Sequence, residues 1–135
     1  KEYAEKLSMG LIRLYRNGIY NDELTIHVVQ MLLDLTKSHP MSSELYCKMF
    51  GFLAVIVGQH TSNHKDMLLN KQLQQLMQAI VRQYLEFRAG YDMTELDRVF
   101  LPNNVGYFIS VLQYLLVYSE DTSEVIGQAV KFAQL

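Results

Sequence analysis

The chain has a single cysteine, Cys47, which rules out an intramolecular disulfide and fits a reducing compartment. An intracellular, cytoplasmic setting is therefore expected, with the nucleus left open. The sequence has only two prolines, and neither a period-two alternation nor a hairpin turn is visible, so nothing points to a β-sheet. There is no basic excess. Twelve Lys and Arg stand against fourteen Asp and Glu, for a net charge of −2, and this gives no electrostatic reason to expect nucleic acid or acidic lipid. The longest uncharged apolar run reads as far short of the roughly 20 residues that span a bilayer, so no membrane is expected. The chain shows no signal peptide and no initiator methionine, and Lys1 already falls within a helical pattern. It reads as one domain over residues 1–135, cut from a longer protein.

Catalytic signatures are missing as well. There is no G-x-G-x-x-G, no P-loop and no G-x-S-x-G. Asn103, Asn104, Val105 and Gly106 read as a helix start, not as a phosphate cradle. Glu95, Asp97 and Arg98 read as a solvated loop or a local ion pair. His60 and His64 have the i, i+4 spacing of two zinc ligands on a helix, with Asp66 nearby, but Thr61 stands where the metalloprotease pattern requires glutamate. No metal site is expected. Cys47 lies on an apolar helix, where a free thiol behaves as a small hydrophobe. No enzyme, cofactor or small-molecule substrate is expected.

What the sequence does contain is helical periodicity from end to end. Between Gln72 and Arg88, the residues Leu73, Leu76, Met77, Ile80, Tyr84 and Phe87 share one face, and Gln75, Gln78, Arg82 and Glu86 the other. Between Asn21 and Ser38 the polar residues Glu23, His27, Gln30, Asp34 and Lys37 recur at helical steps, and most of the remaining circumference is apolar. From Ser43 to Val57 the chain is hydrophobic almost all round, which predicts a buried central helix, although Gly51 and the β-branched run Val55-Ile56-Val57 weaken it. Punctuation supports these elements. Asn17-Gly18 closes a first helix begun near Glu2, and Asn21 caps the second. His39-Pro40 ends the second helix, and Ser42 or Ser43 caps the third. Ala89-Gly90 ends the long amphipathic helix. Pro102-Asn103-Asn104 starts another that runs to about Tyr118, and Asp121 or Thr122 starts the last. The fold class is all-α, with about six or seven helices of unequal length.

Three places share one arrangement, in which an apolar helix ends, a polar turn follows, and a second helix begins with an acidic residue and an apolar pair. They are LLDLTKSHPMSSELY, LAVIVGQHTSNHKDMLL and LLVYSEDTSEVI. Together with the segment Leu45 to Leu85, this texture resembles armadillo and HEAT helical repeats over some two thirds of the chain. The family's groove asparagine has no counterpart at the end of either apolar helix. The resemblance implies a fragment of an α-solenoid, whose helices find neighbours on more than one side by stacking.

The function expected on this basis is a scaffold that docks a partner protein's helix or peptide in a groove between helices. The residues expected to meet the partner are Lys48, Arg82, Tyr107 and Tyr114. The two tyrosines lie two turns apart on one helix and form a natural pair of anchors. Three alternatives stay open: a purely structural segment of a longer solenoid, association with a second copy, and a tubulin- or nucleic-acid-binding module using Lys65, Lys71, Arg82 and Arg88. The charge balance speaks against the last.

Overall fold

In the computed structural model the described residues are Lys6, Gly10, Arg13, 22–58, 68–90 and 92–135, and among them every regular element is a helix. The helices are α1 (Asp22–Ser38), α2 (Ser43–Gly58), α3 (Lys71–Ala89), α4 (Glu95–Tyr118) and α5 (Ser123–Ala133). The expected caps Asn17-Gly18 and Asn21, the pair His60 and His64, and most of the short helix expected from His64 lie outside the described residues.

Each helix begins where a side chain can meet the free N–H groups of its first turn. Asp22 and Glu23 place negative charge at the start of α1. The Leu45 N–H donates to Ser42 Oγ at 3.1 Å and opens α2. Asn70 accepts from the Leu73 N–H at 3.0 Å and opens α3. The Asp121 carboxylate accepts from the Ser123 hydroxyl at 2.5 Å and from the Ser123 N–H at 3.0 Å just ahead of α5, and these two hydrogen bonds lower the pKa of its carboxyl. The C-terminal ends fall where the punctuation places them. His39 donates to the Leu35 carbonyl at 3.0 Å before Pro40, and Gly90 donates to the Glu86 carbonyl at 3.3 Å.

The helix expected to begin at Pro102 begins instead at Glu95, with Thr94 as its cap. There the Thr94 Oγ1 accepts from the Asp97 N–H at 3.2 Å, and the Asp97 carboxylate accepts from the Thr94 N–H at 3.0 Å, a reciprocal capping box. Glu95, Asp97 and Arg98 are therefore a first helical turn and not a loop. Pro102 sits inside the helix, exposed, with no N–H to give to the Arg98 carbonyl, and on this exposed face water can serve that carbonyl instead. The uncharged stretch is therefore longer than the sequence reading expects. Because the helix runs through Pro102, no charge interrupts it between Arg98 and Glu120. By length and composition Asp97–Tyr118 is long and apolar enough to cross a membrane, and 33% of its apolar window is buried inside the fold.

α1 packs chiefly on α3, and α2 on α4, while α5 lies against both α3 and α4. The core runs between these pairs. Val28, Val29 and Leu32 of α1, nearly the whole of α2 from Leu45 to Val57, and the stripe Leu73, Met77, Ile80 and Tyr84 of α3 are withdrawn from solvent. They are joined by Phe108, Val111 and Leu115 of α4 and Val125 of α5. An aromatic cluster ties four helices together. Tyr46 meets Tyr84 at 5.0 Å and Phe50 meets Phe108 at 5.3 Å, both edge to face, and Phe108 stacks on Phe132 at 4.4 Å. Such pairs contribute about 0.5–1.5 kcal/mol each beyond the area they bury. Polar ties cross the same interfaces: the Asn104 amide donates to the Ser43 carbonyl at 3.1 Å, and the Gln128 amide to the Gln78 carbonyl at 3.4 Å.

Candidate functional site

The four expected contact residues divide into three exposed positions and one buried one. Tyr114 is 5% exposed, and its hydroxyl donates to the Leu68 carbonyl at 2.7 Å. It is a core residue, which corrects the expectation of an anchor. α4 is apolar on nearly every face, so spacing alone cannot say which of its tyrosines turns inward, and packing against α2 and Leu68 decides it. Tyr107, two turns earlier, is 37% exposed.

Lys48 lies on the solvent side of α2, its Nζ 3.2 Å from Glu44 Oε1 one turn back, with both side chains about half exposed. The pair lines a cavity of about 420 Å³ with Lys6, Gly10, Arg13, Ser42 and Leu45. Cys47 is next along the helix and half-buried. Burial first, and then the Glu44 carboxylate, push its thiol pKa up, against the lowering pull of Lys48. That is the reverse of what a nucleophilic cysteine needs.

Arg82 stands on α3 facing α5. Its Nη2 is 2.7 Å from Glu124 Oε1, and its Nε donates to the same oxygen at 2.7 Å. This pair rims a groove of about 450 Å³ between α3 and α5, floored by Leu85, Ala89 and Gly127. Lys48 and Arg82 thus line different cavities, and the fold does not gather them into one surface. No partner for Arg82 could be read from the sequence, because Glu124 lies 42 residues away.

The remaining feature was not singled out from the sequence. The outer side of α4 carries Val99, Tyr107, Ile109, Leu116 and Val117 in solvent, and the neighbouring α5 adds Ile126 and Val130. Val117 is 74% exposed and Ile109 41%. No charged side chain interrupts this face of α4 after Arg98. The exposed Asn103 and Gln113 stand among these side chains, so the outer side of α4 is uncharged without being wholly apolar. The signal was legible as the absence of charge from Val99 to Ser119, once those residues are placed on one helix.

Among the described residues no three His, Cys, Asp or Glu side chains gather as metal ligands would. No family model, curated protein or solved structure matches this chain.

Proposed function

We propose that this chain is a non-catalytic segment of a helical-repeat scaffold that docks another protein on the outer face of α4 and α5. The observation that carries the proposal is the uncharged, solvent-facing strip of Val99, Tyr107, Ile109, Leu116 and Val117, extended by Ile126 and Val130. A partner helix laid along it would bury apolar anchors at helical spacing. The repeat character is supported by the order of packing. α1 lies on α3 and α2 on α4, the pairing that corresponding helices of two successive units would make. Stacked repeats join their neighbours in this way.

The test compares the parent chain with a variant carrying Ile109→Glu and Val117→Glu. Both side chains are substantially exposed, so each change is expected to alter stability by no more than about 0.5 kcal/mol. Proteins that co-purify with the parent from an extract are identified, and their affinity for both forms is measured. Weakening by roughly tenfold or more in the variant is the expected result, because binding energy concentrates in a few central side chains. Equal affinity for both forms would exclude this face. Arg82→Ala serves as a second probe, and a larger effect there would move the docking site to the groove between α3 and α5.

A further inference from the structure

The outer face of α4 has an order as well as a composition. Val99, Asn103, Gly106, Ser110, Gln113 and Val117 follow one another at steps of four, three, four, three and four, the spacing of a coiled-coil seam. They run along one side of the helix over about 27 Å. Ser110 is half-buried and the other five are exposed, Val99 to 68% and Val117 to 74%. Along this line the residue types are symmetric about the midpoint: apolar, amide, small, small, amide, apolar. The centre is low. Gly106 has open space where a β-carbon would stand, and Ser110 turns its hydroxyl back onto the Gly106 carbonyl at 3.2 Å. A second helix can therefore approach at the short end of the usual 8–10 Å between axes. On one half of the seam, Ser110, Gln113 and Val117 border a cavity of about 340 Å³ with Ala54 and Val57 of α2.

We propose that α4 pairs antiparallel with α4 of a second copy of this chain, about a two-fold axis that passes between Gly106 and Ser110. The pairing rests on the reading of this face as a docking surface and names its partner along α4. Every layer then meets its own kind. Val99 packs on Val117 of the second copy, and Gly106 faces Ser110. Asn103 and Gln113, each with a donor and an acceptor, exchange hydrogen bonds. Each contact occurs twice, as a two-fold interface requires. The second copy's Val99 and Asn103 arrive beside the cavity at Ser110, Gln113 and Val117. Charge favours the same partner. A charged side chain laid on this seam would be left without a counter-charge, whereas a second copy brings a face equally free of charge. Charge also selects the direction. A parallel pair would set Arg98 against Arg98, while the antiparallel pair sets Arg98 near the level of the second copy's Glu120, and both are exposed. Glu120 bridges Lys71 at 3.0 Å, a largely exposed and weak pair that leaves it available. The seam is one helix wide, so the interface falls in the small class that forms transient complexes, with a dissociation constant on the order of 10–100 μM.

The experiment uses the purified chain carrying Cys47→Ser, so that introduced thiols are the only ones. Val99→Cys and Val117→Cys are made separately, both at exposed positions. Each variant alone and an equal mixture of the two are oxidised at a concentration above the expected dissociation constant. The mixture should form a disulfide-linked heterodimer at least tenfold faster than either variant links to itself. In the antiparallel pair, like positions stand about 27 Å apart, far beyond the reach of a disulfide. Self-linking as fast as the mixture, or no linking at all, would overturn the pairing. Analytical ultracentrifugation of the parent should show a reversible monomer–dimer equilibrium. Gly106→Lys, which meets no atom within 4 Å, should weaken it at least tenfold with the melting temperature unchanged or raised. A dimer indifferent to Gly106→Lys has its contact elsewhere and overturns the pairing. A chain that stays monomeric overturns the pairing alone, since the docking reading survives wherever a different protein binds and Ile109→Glu with Val117→Glu weakens it.

Discussion

The hydroxyl of Tyr114 donates to the backbone carbonyl of Leu68 at 2.7 Å, fixing the middle of α4 to the residues just before α3. The Gln74 amide reaches the same carbonyl at 3.2 Å, so the oxygen has two donors. Tyr114→Phe leaves it one, and is expected to lower the unfolding free energy by about 1 kcal/mol. Tyr114→Ala also opens a cavity and is expected to lower it by about 3–5 kcal/mol. Tyr107→Ala, at a position 37% exposed, should stay below about 1 kcal/mol. Urea denaturation of the three variants checks the order. A Tyr107 variant as unstable as Tyr114→Ala would contradict the orientation of α4.

Alkaline pH should unfold the protein through its buried phenols. Burial, as the largest cause, raises the pKa of Tyr46, Tyr84 and Tyr114 above the ordinary value of 10.0. For Tyr46 the Glu86 carboxylate adds to the rise, whereas Arg88 partly offsets it at Tyr84 and Gln74 at Tyr114. A folded pKa above the unfolded one gives stability that is fully present below about pH 10 and is lost as pH rises further, by roughly 1.4 kcal/mol per pH unit for each group. Phenolate absorbance should therefore show these three of the nine tyrosines silent until the helical signal collapses, and then titrating together. Smooth titration of all nine with the fold intact would refute it.

Leu53 is fully buried at the centre of α2, against α4. Leu53→Asp would place a carboxylate there without a counter-charge, at a cost of several kcal/mol, comparable to the whole stability of a small domain. Loss of the cooperative melting transition is expected, and a variant that melts like the parent would show that α2 is not the core helix described here.

The start of α4 provides a pair of opposite effects. Thr94→Ala removes one side of the capping box and should cost about 1 kcal/mol. Pro102→Ala restores an N–H to the helix interior and should raise stability by about 1–3 kcal/mol, since proline inside a helix is otherwise costly. Both are measurable by thermal denaturation. A destabilised Pro102→Ala would mean that the proline serves the native packing rather than opposing it.

These residues also show what was legible in the sequence. The buried helix α2 and the inner stripe of α3 follow from residue pattern alone, because burial there needs no knowledge of the partner. The capping box Thr94-Glu95-Leu96-Asp97 was present to be read, yet the general rule that proline opens or breaks helices pointed to Pro102 instead. Which face of α4 turns inward was not legible, since both sides are apolar and only the neighbours α2 and Leu68 choose between Tyr107 and Tyr114. The Lys48–Glu44 pair follows from i, i+4 spacing, whereas the Arg82–Glu124 pair and the convergence of Lys6, Arg13 and Lys48 require the tertiary fold.

The packing of α1 on α3 and of α2 on α4 has a consequence for the time order of folding. Among the described residues the side-chain hydrogen bonds that join the helices span 42 to 61 residues. As the chain leaves the ribosome, α2 emerges apolar on nearly every side, and α4, its main partner among the described helices, is made only some 40 residues later. Contacts so distant in sequence slow folding relative to a bundle of adjacent hairpins and leave sticky intermediates in the interval. Chaperone dependence during synthesis, concentrated in the window between the completion of α2 and that of α4, follows from the topology.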